Sequence, residues 1–202
     1  MKFKSPVGTA VWPHLNKPDT KFDKEIGVYQ TKLAVPAEEA EDTIIALEKL
    51  LKEGYAEQCK EQKRPKLRVA DKPWGDEIDQ DGNNTGNILF RFKLKAKTQS
   101  GIDRRPILVD SDLKPMSDLV GSGSKMVVSY EPFSWFVPSL GVGMTLRLKG
   151  VQVLELQEYS GGANAQELGF EKQDGFKTDT LPEEASKSDS IEKEIESHNG
   201  DF

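Results

Sequence analysis

The chain is poor in the residues that build disulfides, thiolate metal sites and catalytic triads. Its 202 residues include one cysteine, Cys59, and two histidines, His14 and His198. A single cysteine excludes an internal disulfide and a thiolate-rich zinc site, and it favours a reducing compartment, with the cytosol as default. One histidine follows a proline and the other lies near the end, so no convincing Ser or Cys triad can be drawn.

Long hydrophobic runs are also lacking. No stretch approaches the roughly 20 apolar residues of a membrane span, so we expect no membrane segment. Hydrophobic residues make up only 36% of the chain, which suggests that part of it does not fold on its own. Residues 160–202 carry 4 Lys/Arg against 11 Asp/Glu, whereas residues 1–159 carry 24 against 23. We therefore predict a folded domain at 1–159 and a disordered acidic C-terminal tail at 160–202.

What the folded part does contain is alternation. It predicts five strands, at residues 27–35, 87–98, 105–111, 124–133 and 144–156. The clearest, "NILFRFKLKAKT" (87–98), places Phe90 and Phe92 on one face and lysines on the other. In the last strand the apolar parity changes at Gly150, which predicts a bulge of the kind that curls a sheet.

One amphipathic helix is predicted between the first two of these strands. Pro36 marks its start, acidic residues fill its first turn, and Ile44, Leu47, Leu51 and Tyr55 recur at helical spacing. Five short strands with one helix predict an all-β, five-stranded Greek-key barrel of the oligonucleotide-binding (OB) type. A five-stranded sandwich would leave the same local pattern.

A basic row and an aromatic segment form the candidate binding surface. The row is Arg91, Lys93, Lys95 and Lys97. The segment "SYEPFSWFVPSLGVG" contributes Tyr130, Phe133, Trp135 and Phe136. Single-stranded nucleic acid is held by cations along its phosphates and by flat side chains under its bases, so the two together predict such a surface. Ordinary solvent exposure would also explain the lysines, and core packing would explain any single aromatic.

Other features admit both structural and functional interpretations. Trp12, Trp74 and Tyr29 stand beside turn-forming or basic residues. The densest basic stretch, "KEQKRPKLRVADKPW" (60–74), is explained by a solvated helix end and loop, or by a loop that steers the protein toward a polyanion.

Acidic clusters raise the possibility of metal chemistry. The stretch "GDEIDQDGNNTGN" has the alternate spacing of a calcium loop, but its glycine is displaced and Phe90 falls where the bidentate glutamate belongs. Asp110 and Asp112, or the cluster at 76–81, would suit a Mg²⁺-dependent nuclease, although no partner motif supports them. A protein-interaction module that does not bind nucleic acid is the other alternative.

Short segments in chain order resemble one known family. They are "GTA" (8–10), "KPD" (17–19), "GVY" (27–29), "FRFK" (90–93), "VDSDLKPMSD" (109–118), "GSGSK" (121–125), "VSYEPFSW" (128–135) and the final "DF". Their order and spacing resemble the single-stranded DNA-binding proteins of short-tailed phages, from about residue 8 to the last residue.

The resemblance implies an OB barrel with an added helix that coats single-stranded DNA without catalysis, cofactor or metal, in the cytoplasm of the infected bacterial host. The implied DNA contacts are Arg91, Lys93, Lys95, Tyr130, Phe133 and Trp135. The implied protein partners are the phage DNA polymerase and helicase-primase, reached through an acidic tail that ends in Asp201 and Phe202 and that also occupies the DNA groove when DNA is absent. Lys187 and Lys193 dilute the acidic run of this tail. A homodimer formed by exchanging tails is left open.

Overall fold

A computed structural model describes residues 2–21, 25–98 and 100–157, which form eight strands and one helix. In chain order these are β1 (Phe3–Lys4), β2 (Gly8–Asp19), β3 (Val28–Pro36), α1 (Ala37–Glu61), β4 (Trp74–Ile78), β5 (Asn84–Lys95), β6 (Ile107–Val109), β7 (Lys125–Val137) and β8 (Gly141–Glu155). The predicted tail at 160–202 lies outside the described residues.

Five of the strands close into a barrel. β2 pairs with β3, β3 with β5, β5 with β8, β8 with β7, and β7 returns to β2. All of these contacts are antiparallel except β5 with β8, which is parallel. A ring of five paired strands is the architecture of small barrels of the predicted OB type. The predicted barrel is therefore confirmed, and the sandwich is excluded.

The membership of the ring differs from the prediction at two strands. Residues 105–111 supply only the three-residue strand β6, which pairs with β8 outside the ring. The fifth barrel strand is β2, which the sequence analysis missed. Its pairing with β3 is interrupted between Val11 and His14 and again between His14 and Asp19, so its side chains do not alternate regularly. Irregular pairing hides a strand from any test based on a period of two.

The barrel interior is filled by the apolar side of each strand. Phe90 and Phe92 on β5 are buried, and so are Met144, Leu146 and Leu148 on β8, followed by Val151 and Val153. The change of parity at Gly150 coincides with a register shift, because Ser129 pairs with Gly150 and Tyr130 with Leu148, skipping one residue of β8. The predicted bulge at Gly150 is confirmed.

α1 packs against the barrel along one apolar stripe. Its buried residues are Ala40, Leu47, Leu51 and Gly54, and its first turn carries Glu38 and Glu39 as predicted. Gly54 allows the helix to lie close to the barrel, since a Cβ at that position would collide with the side chain of Ser134 on β7.

The seam between β2 and β7 closes the ring with only two paired residues on each strand, Gly8 with Met126 and Thr9 with Lys125. Ser124, which is fully buried, extends this seam in both directions. Its carbonyl oxygen accepts the amide of Ala10 at 2.8 Å, and its hydroxyl accepts the amide of Gln157 at 3.0 Å. The first and last strands of the barrel are thus tied to the same residue.

Candidate nucleic-acid interface

The outer side of β5 carries the predicted basic row. Arg91, Lys93 and Lys95 are exposed, while their neighbours Phe90 and Phe92 are buried. β3 extends this row sideways, because its exposed Lys32 is paired with Arg91 and its Gln30 with Lys93. A strand with one side in the core must present its other residues to solvent, so the alternation in the sequence determines this row.

β8 connects the basic row to the aromatic segment through a residue that the sequence analysis missed. Lys93 is paired with Arg147, which is paired in turn with Glu131 on β7. The guanidinium carbon of Arg147 lies 3.3 Å from the centre of the Phe133 ring, a cation–π contact. Arg147 could have been assigned to the outer side, since it alternates with the apolar Leu146 and Leu148. Its place beside Lys93 depends on the parallel pairing of strands far apart in the sequence.

Phe133 and Trp135 lie on the outer side of β7. Phe133 is 41% exposed, and Trp135 is half-buried with its indole N–H donating to the Thr145 hydroxyl at 3.0 Å. Trp135 is paired with Gly143, where a Cβ would collide with the indole ring. The missing side chain at Gly143 therefore lets the indole lie flat against β8.

The structure contradicts the assignment of Tyr130 to this surface. Its side chain is 1% exposed and packs between the rings of Phe3 and Phe92, with centroids at 5.9 and 5.1 Å. Burial raises the pKa of the Tyr130 hydroxyl to about 12. Tyr130 and Phe133 are three positions apart in one strand, so they face opposite sides. Tyr130 belongs to the core, where it cannot stack on a base.

We call the surface formed by Lys32, Arg91, Lys93, Lys95, Arg147, Phe133 and Trp135 the basic-aromatic face. Within the described part of the chain, no carboxylate lies within ion-pairing distance of Lys93 or Lys95. Glu131, at the β7 side, pairs with Lys149 at 2.7 Å, and this hydrogen bond and charge hold the pKa of Glu131 below its ordinary value. Glu131 is thus engaged by Lys149, while Lys93 and Lys95 on β5 remain available to an anionic ligand.

The basic connection between α1 and β4 borders this face. The Tyr55 hydroxyl of α1 donates to the carbonyl of Leu67 at 3.1 Å and accepts from its amide at 3.0 Å. After Leu67, the carbonyl of Arg68 accepts a hydrogen bond from the amide of Val142 on β8. The carbonyl of Lys72 accepts one from Nη2 of Arg91 at 2.9 Å. Residues 67–73 therefore run between β8 and β5 in a fixed path.

Lys72 itself is occupied in this connection. Its ammonium lies 2.6 Å from a carboxylate oxygen of Glu48 on α1 and 5.5 Å from the centre of the buried Trp74 ring. The hydrogen bond and charge of Lys72 lower the pKa of Glu48. Lys72 therefore contributes less to the free positive charge near the face than the sequence suggests.

The acidic clusters form turns. Asp79 accepts the amides of Asp81 and Asn83 through Oδ1, and the hydrogen bonds led by the one from Asn83 lower the pKa of Asp79. Asp110 accepts the amides of Asp112 and Lys114 in the same manner. These bonds show each carboxylate stabilising its own loop. Among the described residues, no group of three or more His, Cys, Asp or Glu side chains is arranged to hold a metal ion.

Two further predictions concern other parts of the chain. Asp201 and Phe202 lie outside the described residues. Among the helices of the described part, none is long and apolar enough to cross a membrane.

The closed barrel, its added helix and a solvent face that combines cations with aromatic rings define the class of OB-type nucleic-acid-binding proteins. The family model described as "Single-stranded DNA-binding protein, Bacteriophage T7" matches residues 7–156. The chain belongs to this family, whose function is DNA binding and not catalysis, and the predicted resemblance is confirmed. No curated protein sequence matches the chain.

Solved structures agree with this assignment. The chain is similar to gp2.5, a single-stranded DNA-binding protein encoded by bacteriophage T7, with 25% identity, a TM-score of 0.68, and coverage of 89% of this chain and 99% of that one. The fold is also that of the single-stranded DNA-binding protein from bacteriophage Enc34, solved in complex with single-stranded DNA, with 15% identity, a TM-score of 0.58, and coverage of 78% and 88%.

Proposed function

We propose that the chain binds single-stranded DNA independently of sequence along the basic-aromatic face. The contact between Arg147 and Phe133 carries this proposal, because it joins the cations of β5 to the rings of β7 in one continuous surface. Lys93, Arg91 and Lys95 neutralise phosphates, and Phe133 and Trp135 stack on bases. Backbone charge and ring faces are common to all nucleotides, so such a surface does not discriminate between sequences.

The first test is a titration with a fluorescent oligo-thymidine strand and a duplex of matching length at two salt concentrations. We expect tight binding of the single strand, with log affinity falling by about 0.7 per neutralised phosphate for each unit of log salt concentration. Equal affinity for the duplex would contradict the proposal, because stacking requires unpaired bases. Complete absence of binding at low salt would favour the protein-interaction module.

Matched lysine variants locate the binding surface. Lys93→Gln removes one unpaired charge from the face and is expected to reduce the salt slope by about 0.7. Lys114→Gln removes a lysine that lies in the turn after β6, 3.4 Å from Asp112, and it should leave the slope unchanged. Equal slopes for both variants would place the DNA elsewhere.

The family and the acidic tail support a proposal for the role of the protein in the cell. We propose that residues 1–159 coat single strands during phage DNA replication and recombination in the host cytoplasm, while residues 160–202 recruit the phage DNA polymerase and helicase-primase. The tail's formal charge, 4 Lys/Arg against 11 Asp/Glu, favours contact with a basic surface, and Phe202 supplies an apolar end. DNA that displaces the tail would leave it free for partners.

Deleting residues 199–202 tests the tail. We expect unchanged or higher DNA affinity and weaker retention of the polymerase and helicase-primase in pull-down experiments. A truncated protein that retains both partners at full strength would refute the recruiting role. Sedimentation of full-length and truncated chains shows separately whether tails are exchanged within a homodimer.

A further inference from the structure

β2 carries a backbone irregularity at the edge of the basic-aromatic face. Val11 is paired with Lys32 of β3 and His14 with Gln30, so two residues, Trp12 and Pro13, stand opposite the single residue Thr31. Two residues facing one define a β-bulge. Thr31 is 2% exposed and points into the barrel, whereas Trp12 is 72% exposed. The bulge therefore keeps a large aromatic side chain out of the core at a position where regular pairing would direct a side chain inward.

The backbone of Trp12 has a conformation that its side chain disfavours. Its φ angle is +49°, in the left-handed region, where a bulky residue is an outlier and where bulges of this kind often have glycine. The conformation is held from outside the strand, since the amide of Trp12 donates to the Ser122 hydroxyl at 3.1 Å. The adjacent amide of Gly123 donates to the carbonyl of Ala10 at 2.9 Å. Strained residues that the surrounding structure enforces concentrate at functional sites.

The bulge lies next to the cations of the basic-aromatic face. Lys32 and Gln30, which flank the bulge on β3, are paired with Arg91 and Lys93 on β5. Lys93 is paired with Arg147, which contacts Phe133. From β7 to β2, the barrel thus presents aromatic rings, then cations, and then the exposed indole of Trp12. Single-stranded DNA binds well to surfaces on which rings and cations follow one another along the strand.

We propose that Trp12 is a base-stacking platform at the β2 side of the face, so that bound single-stranded DNA crosses the barrel from Trp135 to Trp12. This inference rests on the proposed function and extends the path beyond the residues of the basic-aromatic face. It explains why a strained position is occupied by tryptophan, because a glycine would relieve the strain and remove the ring.

Substitutions at Trp12 separate stacking from folding. Trp12→Gly suits the positive φ, so its thermal midpoint should not fall, while its affinity for oligo-thymidine should drop roughly 5- to 100-fold, as on loss of one stacking ring. Trp12→Phe retains a flat ring and should recover most of the affinity. An affinity of Trp12→Gly within twofold of the unmodified protein overturns the proposal.

Tryptophan fluorescence reports the contact directly. The chain has three tryptophans, and Trp74 is only 6% exposed. In Trp135→Phe, oligo-thymidine should therefore quench emission through Trp12, and in the double variant Trp12→Phe/Trp135→Phe this quenching should disappear. Absence of quenching in Trp135→Phe despite saturating DNA contradicts stacking at Trp12. If Lys93→Gln weakens binding while Trp12→Gly does not, only this inference fails; if neither does, the proposed function fails too.

Discussion

Tyr130 and Phe133 are aromatic residues of the same strand, three positions apart, and they have opposite environments. Tyr130 is paired with Leu148 and is enclosed by Phe3 and Phe92, whereas Phe133 is paired with Thr145 and meets Arg147 at the surface. The comparison shows that the aromatic side chains of β7 fall into two groups, one buried in the core and one facing solvent. Strand parity decides whether a ring stabilises the barrel or remains available to a ligand.

Replacing each ring by alanine should distinguish the buried group from the exposed group most clearly, through the free energy of unfolding. Tyr130→Ala removes a buried ring and should lower the free energy of unfolding by about 3–5 kcal/mol. Phe133→Ala, at the surface, should lower it by less than about 1 kcal/mol. Urea denaturation followed by circular dichroism measures both. Similar losses for the two variants would break the comparison.

The buried hydroxyl of Tyr130 should also make stability depend on alkaline pH. Burial raises its pKa to about 12, while an unfolded chain releases the proton near pH 10. Between these values the folded state holds a proton that the unfolded state has lost, so stability decreases as pH rises. The loss is complete above the folded pKa and amounts to about 3 kcal/mol.

Tyr130→Phe is the control for this titration, because it keeps the ring and removes the ionisable group. Other tyrosines and lysines titrate in the same range, so the informative quantity is the difference between the two proteins. We expect that difference to change between pH 10 and 12, and a constant difference would contradict the burial of the hydroxyl.

The exposed aromatic side chains should contribute to DNA binding and not to stability. Phe133→Ala and Trp135→Ala should each weaken binding of oligo-thymidine by about 1–3 kcal/mol, the contribution of one stacked base. Tyr130→Phe, on the opposite side of the same strand, should bind with unchanged affinity. Fluorescence anisotropy at constant salt measures all three, and an equal loss in Tyr130→Phe would show that parity does not separate the roles.

Tyr55 extends the comparison, because its hydroxyl, and not its ring, holds the backbone of Leu67. Tyr55→Phe keeps the ring and releases the backbone of Leu67, which should cost about 0.5–1.5 kcal/mol of stability. Once the connection at 67–73 is less fixed, DNA affinity should fall by a smaller amount, in the order of twofold. Hydrogen exchange at Leu67 and Ala70 should accelerate, and unchanged protection there would indicate that other contacts hold the connection.

Local patterns in the sequence were sufficient for much of this architecture. The alternation of β5 and the change of parity at Gly150 each depend on neighbouring residues, and both predictions are confirmed. β2 was missed because its pattern is interrupted. It has two register shifts, a positive φ at Trp12, and prolines at positions 13 and 18. A period of two cannot be detected where the pairing itself is irregular.

The candidate site was predicted in its components but not in its assembly. Exposed lysines follow from alternation, yet the position of Arg147 between Lys93 and Phe133 requires the parallel pairing of β5 with β8. Tyr130 was misassigned because the aromatic segment was treated as one group and its parity was not applied. Asp201 and Phe202 lie outside the described residues, so their role stays a prediction.

The short seam between β2 and β7 has a mechanical consequence. Ser124 bonds to Ala10 near the start of the barrel and to Gln157 at the end of its described part. Tension applied between these two ends would therefore act first on the short β2–β7 pairing and on the hydrogen bonds beside it, which include those from Gly123 to Ala10 and from Trp12 to the Ser122 hydroxyl. It would reach the long β7–β8 ladder only after these contacts. Under such tension, the barrel is expected to open first between β2 and β7, while the strands that carry the basic-aromatic face stay paired.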